Sequence, residues 1–240
     1  MIADDYKGFG IALANAVIPP HTALRWGQEY RELEACRKVD PYNPVAVPEE
    51  PETKALLETI SFALIDLGLE IFGPDLGLYN RRFLVKDEQS STHAVPLHQD
   101  TAYHRGWMNK ASFFVALTES SAVNGGLTVW PGTWVYGSLG DAGVINRELL
   151  RGRRSFTPHM VPGDVLVMHS ATWHESAPST TGGLRILADI ILQPSSDPST
   201  IETLFGGEHA RFAPENPFSS CRVSRLKELQ AKVDEYEARA

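Results

Sequence analysis

His98-Gln99-Asp100 places an imidazole and a carboxylate two residues apart, so that both can turn toward one metal ion where a strand ends. The triplet alone is weak evidence, because a triplet of this kind is expected by chance in a chain with eight histidines and 30 acidic residues. His174 follows an apolar segment and would complete a set of two histidines and one carboxylate. We therefore predict that His98, Asp100 and His174 are the metal ligands and the catalytic centre.

Such a triad leaves three neighbouring positions of an iron ion open, which allows a cosubstrate to chelate and dioxygen to bind beside the substrate. Zinc sites prefer four protein ligands, or three and one water, so the triad alone does not exclude zinc. His169 is the rival for the second histidine position. We favour His174, because it precedes an arginine by eleven residues and His169 does not.

That arginine, Arg185, lies beyond a Gly-rich turn on a segment expected to run back beside His174. A guanidinium group pairs bidentately with a carboxylate. It can therefore hold the far carboxylate of a dicarboxylate whose 2-oxo acid end chelates iron. Ser176 would point to the same side of its strand as His174 and can donate its hydroxyl to that carboxylate. The sequence thus predicts Fe(II), with 2-oxoglutarate and O2 as cosubstrates.

Aromatic residues near these ligands are candidates for substrate contacts, since their rings offer apolar area with a polar tip. Core packing explains them equally well. The basic run at residues 151–154 is explained either by a solvated loop or by a clamp for an anionic substrate. The candidate substrate residues are Tyr103, His104, Trp107 and Trp134.

Short apolar segments separated by Gly, Pro, Asn and Asp predict a mainly β fold, either a sandwich or a small barrel. Tight turns are expected at residues 124–126 and 162–164, where glycine accepts a positive φ. The predicted strands are residues 80–86, 93–98, 112–118, 126–130, 155–161, 164–169 and 185–193.

Helical patterns flank this middle region. Residues 51–72 repeat apolar side chains every three to four positions and are stopped by Gly73-Pro74. Residues 223–240 are rich in Leu, Lys, Glu and Ala and also predict a helix. We expect one domain, with a helical flank at residues 1–79, a jelly-roll core at 80–193 and a C-terminal segment and helix at 194–240.

Composition limits which partners and which cellular compartment we expect for this protein. A net charge of -8 and a pI near 5.5 argue against nucleic-acid binding. Charged residues interrupt every long apolar stretch, and the acidic start lacks the pattern of a secretory signal, so we expect no membrane contact. Two cysteines predict reduced thiols and a cytoplasmic location. The expected partner is a small molecule, and the oligomeric state does not follow from the sequence.

From about residue 80 to 193 the chain resembles the phytanoyl-CoA dioxygenase family of iron(II)/2-oxoglutarate oxygenases. The resemblance rests on His98-x-Asp100, the Asn124-Gly-Gly-Leu-Thr-Val-Trp-Pro-Gly-Thr segment, Pro162-Gly-Asp, His174-x-Ser and Arg185. It implies a double-stranded β-helix, the cupin-like jelly roll, and a contribution of Lys86 to cosubstrate binding. The chain departs from the family at Thr133-Trp134, where members commonly continue with Ser-His.

This resemblance implies hydroxylation of an unactivated carbon of a small metabolite, with release of succinate and CO2. Arg151, Arg153 and Arg154 would suit a polar or anionic metabolite. The carboxylate of Asp100 disfavours halogenation, because related halogenases carry a small residue there. Desaturation, epimerisation and cyclisation use the same chemistry and stay open. A non-catalytic β-barrel that binds a metal or ligand is one alternative, and a zinc hydrolase on a cupin-like barrel is another.

Overall fold

The computed structural model describes residues 2–36, 50–87, 94–139 and 144–206. Its four helices are α1 (Ile2–Phe9), α2 (Pro20–Ala35), α3 (Pro51–Phe62) and α4 (Ile65–Phe72). Its nine strands are β1 (Ile11–Ala14), β2 (Leu76–Lys86), β3 (Val95–His98), β4 (Ala111–Ala116), β5 (Leu127–Trp130), β6 (Val165–His169), β7 (Trp173–Ser176), β8 (Arg185–Gln193) and β9 (Glu202–Phe205).

The strands form two antiparallel sheets that face each other. The larger sheet has the order β1-β6-β4-β8-β2-β9, and the smaller has the order β3-β7-β5. Neighbours in the larger sheet are distant along the chain, as in a jelly roll, and β8 pairs with β2 on one side and β4 on the other. The predicted jelly roll with flanking helices is therefore confirmed.

Side chains alternate between the two faces of the larger sheet along each strand. Both faces are buried, because helices pack on one and the smaller sheet packs on the other. We call the side that packs on the helices the outer face. Phe113, Val115, Val167 and Ile190 of this face share one apolar core with α2, α3 and α4. Every residue of β8 is buried, which explains why its sequence is a nearly continuous apolar run.

The inner face of the larger sheet packs on the smaller sheet. Phe114, Leu166 and Leu187 of the larger sheet meet Leu127 and Val129 of β5 in a second apolar cluster. This cluster fills the β1-β6-β4 half of the interior. The other half, lined by β2 and β8, carries charged side chains and lies beside the smaller sheet's histidines.

Most predicted strands are present with shifted ends, and residues 185–193 match β8 in full. The predicted strand at residues 155–161 is wrong. Only two isolated bridges occur there, at Phe156 and Met160. Pro158 lies between them and has no backbone N–H to donate, so a continuous ladder cannot form.

The single helix predicted for residues 51–72 is also wrong, because the structure has two helices, α3 and α4. The Ser61 hydroxyl donates to the Leu57 carbonyl at 2.7 Å, a bond that bends helices. The Leu64 N–H then bonds to the Ser61 carbonyl, three residues back, and the chain turns into α4. Gly73, with φ 78°, ends α4 as the sequence predicts.

The predicted strands did not include β1, β7 and β9, and the helical flank expected at residues 1–79 was not resolved into the separate helices α1 and α2. The predicted C-terminal helix at residues 223–240 lies outside the described residues, as does residue 93 of the strand predicted at 93–98. Within the described ranges, no helix is both long and apolar enough to cross a membrane.

Candidate metal centre

The structure brings His98, Asp100 and His174 together, although 74 residues separate the last two. One ligand atom from each lies within 4.8 Å of the others. The Nε2 atoms of His98 and His174 are each 3.6 Å from Asp100 Oδ1. These separations are short enough for one ion to bind all three side chains.

Strand pairing positions the two histidines. His98 on β3 is the register partner of His174 on β7, and their ring centroids are 4.1 Å apart. Both rings are held from behind by the backbone. Nδ1 of His98 lies 2.7 Å from the Pro96 carbonyl, and Nδ1 of His174 lies 3.0 Å from the Thr172 carbonyl. A carbonyl can only accept, so each Nδ1 carries the proton and each Nε2 keeps its lone pair for a metal.

Asp100 begins a short 3-10 helix, Asp100–Ala102, where β3 ends. Its carbonyl accepts from the N–H groups of Tyr103 and His104, which fixes the turn behind the carboxylate. Asp100 Oδ2 is buried and has no hydrogen-bond partner. A buried carboxylate oxygen without a partner is costly, so this orphaned atom fits a ligand for a cation.

Electrostatics favour the protonation states that a metal needs at two of the three triad residues. Burial alone would raise the pKa of Asp100, but His174, His98, His104 and Arg82 together lower it well below its usual value. Burial lowers the pKa of His174 to about 4. At neutral pH the carboxylate is therefore ionised and His174 is neutral. For His98, burial lowers the pKa, but the hydrogen bond and the charge of Asp100 raise it overall, so a metal ion would have to displace that proton.

Gln99 was missed by the sequence analysis, although it stands between two residues of the triad. Its Nε2 donates to the carbonyls of Gly137 at 2.7 Å and Ala171 at 2.8 Å, and its Oε1 accepts from the Leu139 N–H at 3.0 Å. The side chain thus ties the ligand segment to two other loops. Its position within the triplet is the signal that could have revealed this role.

Lys86 and Arg185 are register partners at the ends of β2 and β8, and both are buried. Arg185 Nε has no hydrogen-bond partner, and no described acidic residue pairs with its guanidinium. Burial lowers the pKa of Arg185 to about 10, and burial with the neighbouring Arg185 lowers that of Lys86 to about 8. Two buried cations side by side make a site for an anion.

Ser176 lies beside this cation pair. Its hydroxyl donates to the Gly125 carbonyl at 2.8 Å, so its proton is already used and its oxygen is left to accept. Lys86 Nζ donates to the Ala177 carbonyl. Gly125, with φ 76°, passes so close that a Cβ there would lie 2.5 Å from Lys86 Cδ. The Asn-Gly-Gly turn therefore needs glycine for its conformation and for the space that Lys86 takes.

Arg82 and Asp189 form an ion pair on the inner face, with Nε and Oδ2 2.8 Å apart. They are register partners four residues along the strands from Lys86 and Arg185. Asp189 is fully buried, and burial raises its pKa while Arg82 lowers it. Arg82 also contributes to the electrostatics of all three triad residues. The sequence analysis missed this pair, since its two residues are 107 positions apart.

The candidate substrate residues separate into two groups. Tyr103 lies next to the triad, with its ring centroid 6.1 Å from that of His98. His104 Nδ1 is 2.9 Å from Ser170 Oγ, and Trp107 is half exposed on the same loop. Trp134 is different: its ring is 5.2 Å from that of His169 and fills the space beside Gly10.

His169 and Arg153 of the basic run make their contacts away from the triad. The ring of His169 also contacts Tyr6 of α1, which belongs to the outer core. Arg153 stacks over Tyr136 and Trp173, with its guanidinium carbon 4.8 and 5.4 Å from the ring centroids. Trp173 points to the opposite side of β7 from His174. Arg153 is therefore used in packing on the far side of the smaller sheet.

The fold resembles those of several solved non-heme enzymes. The epimerase SnoN from nogalamycin biosynthesis, in complex with Fe3+, alpha ketoglutarate and nogalamycin RO, is 16% identical with TM-score 0.71, over 89% of each chain. The ThoJ–Ni complex, a non-heme monooxygenase, is 19% identical with TM-score 0.69, over 98% of this chain and 99% of that one. The carbocyclase SnoK is 15% identical with TM-score 0.64, over 82% and 84%.

No curated protein sequence matches the chain significantly. The family model of phytanoyl-CoA dioxygenase matches residues 55–187, which is more than half of the chain. The matched region includes the triad, both cations and the Asn-Gly-Gly turn, and three donors of the kind that iron takes lie within it. The chain therefore belongs to the phytanoyl-CoA dioxygenase family of iron(II)/2-oxoglutarate-dependent oxygenases.

Proposed function

We propose that this enzyme hydroxylates an unactivated carbon of a small organic substrate and releases succinate and CO2. The observation that carries the proposal is the buried guanidinium of Arg185, which has no acidic partner among the described residues and lies eleven residues after a ligand histidine. A buried unpaired charge is strongly unfavourable. A dicarboxylate held at the metal would neutralise it.

His98, Asp100 and His174 would hold the iron(II). Their donor set of two imidazole nitrogens and one carboxylate oxygen is the facial triad of iron(II) oxygenases. Asp100 Oδ2 has no hydrogen-bond partner of its own. Iron with 2-oxoglutarate and O2 supplies the oxidising chemistry when bound.

Arg185 and Lys86 would hold the far carboxylate of 2-oxoglutarate. Arg185 offers a planar fork for a bidentate pair, and Lys86 adds a second charge from the neighbouring strand. Ser176 and Gly125 form the wall between β5 and β7, where Ser176 fixes the Gly125 carbonyl. Bound in this way, the cosubstrate would extend from the cation pair toward the triad.

The rest of the interior orients the reactants and excludes water. Leu84 and Leu187 are register partners between the two charged pairs and place apolar side chains between them. Arg82 and Asp189 neutralise one another, so they add no net charge beside the metal. Because Asp100 supplies a carboxylate, no ligand position is left for a halide, and hydroxylation is favoured over halogenation.

Epimerisation, cyclisation and desaturation remain the second candidate outcomes. Epimerase, carbocyclase and monooxygenase structures all share this fold, so the fold does not distinguish between these reactions. A non-catalytic binding module explains neither the buried cation pair nor the orphaned carboxylate oxygen. A zinc hydrolase has no use for a dicarboxylate site of two buried cations.

Anaerobic loading of the protein with iron(II) and 2-oxoglutarate tests the proposal. We expect a visible charge-transfer band of the chelate, followed by succinate release when air is admitted together with compounds that accelerate it. Arg185→Ala should weaken 2-oxoglutarate binding by about 1.5–3 kcal/mol, the value of a charge-assisted pair. Arg151→Ala is the control, since Arg151 is exposed.

Three results would contradict the proposal. If the protein binds iron but shows no charge-transfer band with 2-oxoglutarate, then 2-oxoglutarate is not its cosubstrate. Equal affinity of wild type and Arg185→Ala for 2-oxoglutarate would remove the role given to that arginine. A product that gains no oxygen atom while succinate is released would replace hydroxylation by one of the other outcomes.

A further inference from the structure

Residues 103–109, which we call the rim loop, follow the first two ligands directly and expose large apolar side chains. Tyr103, Trp107 and Met108 are 59%, 52% and 49% exposed. Exposed apolar groups that cluster at one place mark binding sites more often than ordinary surface. Their position beside the metal centre makes the substrate the natural occupant.

Three exposed apolar side chains border the ligand segment from different directions. Tyr103 contacts the His98 ring edge-on. Met108 Cε lies 3.8 Å from where a Cβ of Gly137 would be, and the Gly137 carbonyl accepts from the side chain of Gln99. Leu139, 43% exposed, donates its N–H to the same side chain. All three therefore lie beside the His98–Asp100 segment. We call these three residues, together with Trp107, the rim.

The backbone of the rim loop is held from below by a buried carboxylate. Asp197 Oδ2 accepts from the Trp107 N–H at 2.9 Å and from Lys110 Nζ at 2.5 Å. Asp197 and Lys110 are both fully buried. The carbonyl of Arg105 accepts from Ser199 Oγ at 3.0 Å. Apolar side chains are thus displayed on a fixed backbone, which lowers the entropy cost of binding.

We propose that the rim binds a flat, apolar ring system of the substrate, and that Asp197 is a positioning residue for this surface. Aromatic and methionine side chains pack best on the faces and edges of rings. A phosphorylated or acidic metabolite would need several converging cations. The rim loop offers one, the exposed Arg105, whereas Arg82 is paired with Asp189 and Arg153 packs on the far side of the smaller sheet. The inference rests on the proposed function, because the metal centre fixes where the substrate must lie.

Flavone serves as a neutral ring probe, and its binding can be followed by tryptophan fluorescence on protein loaded with nickel(II) and 2-oxoglutarate. The double variant Tyr103→Ala, Met108→Ala should bind flavone at least tenfold more weakly than wild type. Phe62→Ala is the matched control, because Phe62 is an equally exposed aromatic on α3 at 53%. Its dissociation constant should stay within twofold of wild type.

Asp197→Asn tests the positioning role. It should weaken flavone binding at least fivefold and leave the affinity for nickel and 2-oxoglutarate unchanged, a split that a general loss of structure would not give. Ser199→Ala removes a hydroxyl that lies within hydrogen-bond distance of the Arg105 carbonyl and of Asp197 Oδ1, and it keeps the buried Asp197–Lys110 ion pair. It therefore tests the same role in a milder variant. It should weaken flavone binding about threefold.

The proposal is overturned if dodecanol or glucose 6-phosphate binds more tightly than flavone, or if the double variant binds flavone as wild type does. Failure to load nickel with 2-oxoglutarate would instead overturn the proposed function. Flavone titration of the unloaded protein separates these two failures, because the rim is formed by the protein alone.

Discussion

The two faces of the larger sheet are built from alternate residues of the same strands, yet they differ in chemistry. Along β8, Ile186, Ala188 and Ile190 face the helices in an all-apolar core. Arg185 and Asp189 alternate with them and face the smaller sheet, opposite Lys86 and Arg82 of β2. The outer face therefore supplies stability, while the inner face accepts buried charges that stability alone would not select.

This difference indicates how one strand serves two purposes. Burying the outer side chains contributes roughly 25 cal/mol for each Å2 of apolar surface. Burying an arginine without a partner costs free energy that the rest of the fold must offset. We infer that the charges are kept for their ligands, and substitutions on the two faces should therefore have opposite signatures.

The largest effect is expected on the outer face. Phe113 is fully buried there, and Phe113→Ala should lower the free energy of unfolding by about 3–5 kcal/mol, because it leaves a cavity in the core. Urea denaturation measures this change. Phe156→Ala, at a side chain 43% exposed, is the control and should cost less than about 1 kcal/mol. Nickel and 2-oxoglutarate should bind the folded Phe113→Ala protein with unchanged affinity. A loss of affinity would contradict the conclusion that the outer face serves stability and the inner face serves binding.

The proposed metal ligands should show the reverse signature. Asp100→Ala should weaken metal binding by about 3 kcal/mol, roughly one ligand's share of the affinity of a protein metal site. Its urea midpoint in the absence of metal should remain near that of wild type. Competition against a fluorescent chelator measures the affinity, with the exposed Asp66→Ala as control. Wild-type affinity in Asp100→Ala would exclude this carboxylate as a ligand.

Arg185→Leu should separate stability from function within one residue. Cosubstrate affinity should fall by about 1.5–3 kcal/mol, while the free energy of unfolding of the metal-free protein rises by about 1–2 kcal/mol, because an unpaired buried charge is replaced by an apolar side chain. Calorimetric titration and urea denaturation give the two numbers. Arg151→Leu, at an exposed arginine, should change neither. A destabilised Arg185→Leu would show that the guanidinium has a structural partner.

The smallest effect is a pH dependence of cosubstrate binding. The pKa of Lys86 is lowered to about 8, and a bound carboxylate would raise it again. Below pH 8 the lysine is already charged and the affinity should be flat. Above pH 8 binding must restore the proton, so the dissociation constant should rise toward tenfold per pH unit. Titrations with nickel between pH 7 and 9 test this.

Lys86→Met supplies the control for that titration. Its affinity for 2-oxoglutarate should be weaker than that of wild type but should lack the rise above pH 8. The same rise in both proteins would assign the titration to another group, and a flat wild-type curve would remove Lys86 from the binding site.

Particular residues show how much of the structure could be predicted from the sequence. The strand at residues 185–193 was predicted in full, because nine apolar-rich positions after a Gly-Gly turn leave little alternative. The four-residue β1 was missed, since it gains its ladder only by pairing with β6, more than 150 residues away. Trp134 is an aromatic residue of the type that lines pockets, but its ring packs against Gly10 and His169 instead.

The sequence by itself determined the donor types, their order and the arginine eleven residues after His174, because these are properties of local spacing and side-chain chemistry. Only the tertiary structure decided that His98 faces His174 in register, that Lys86 lies against Arg185, and that Asp197 supports the rim loop. The physical reason is that antiparallel pairing between distant strands sets these contacts, and pairing partners depend on the packing of the whole chain.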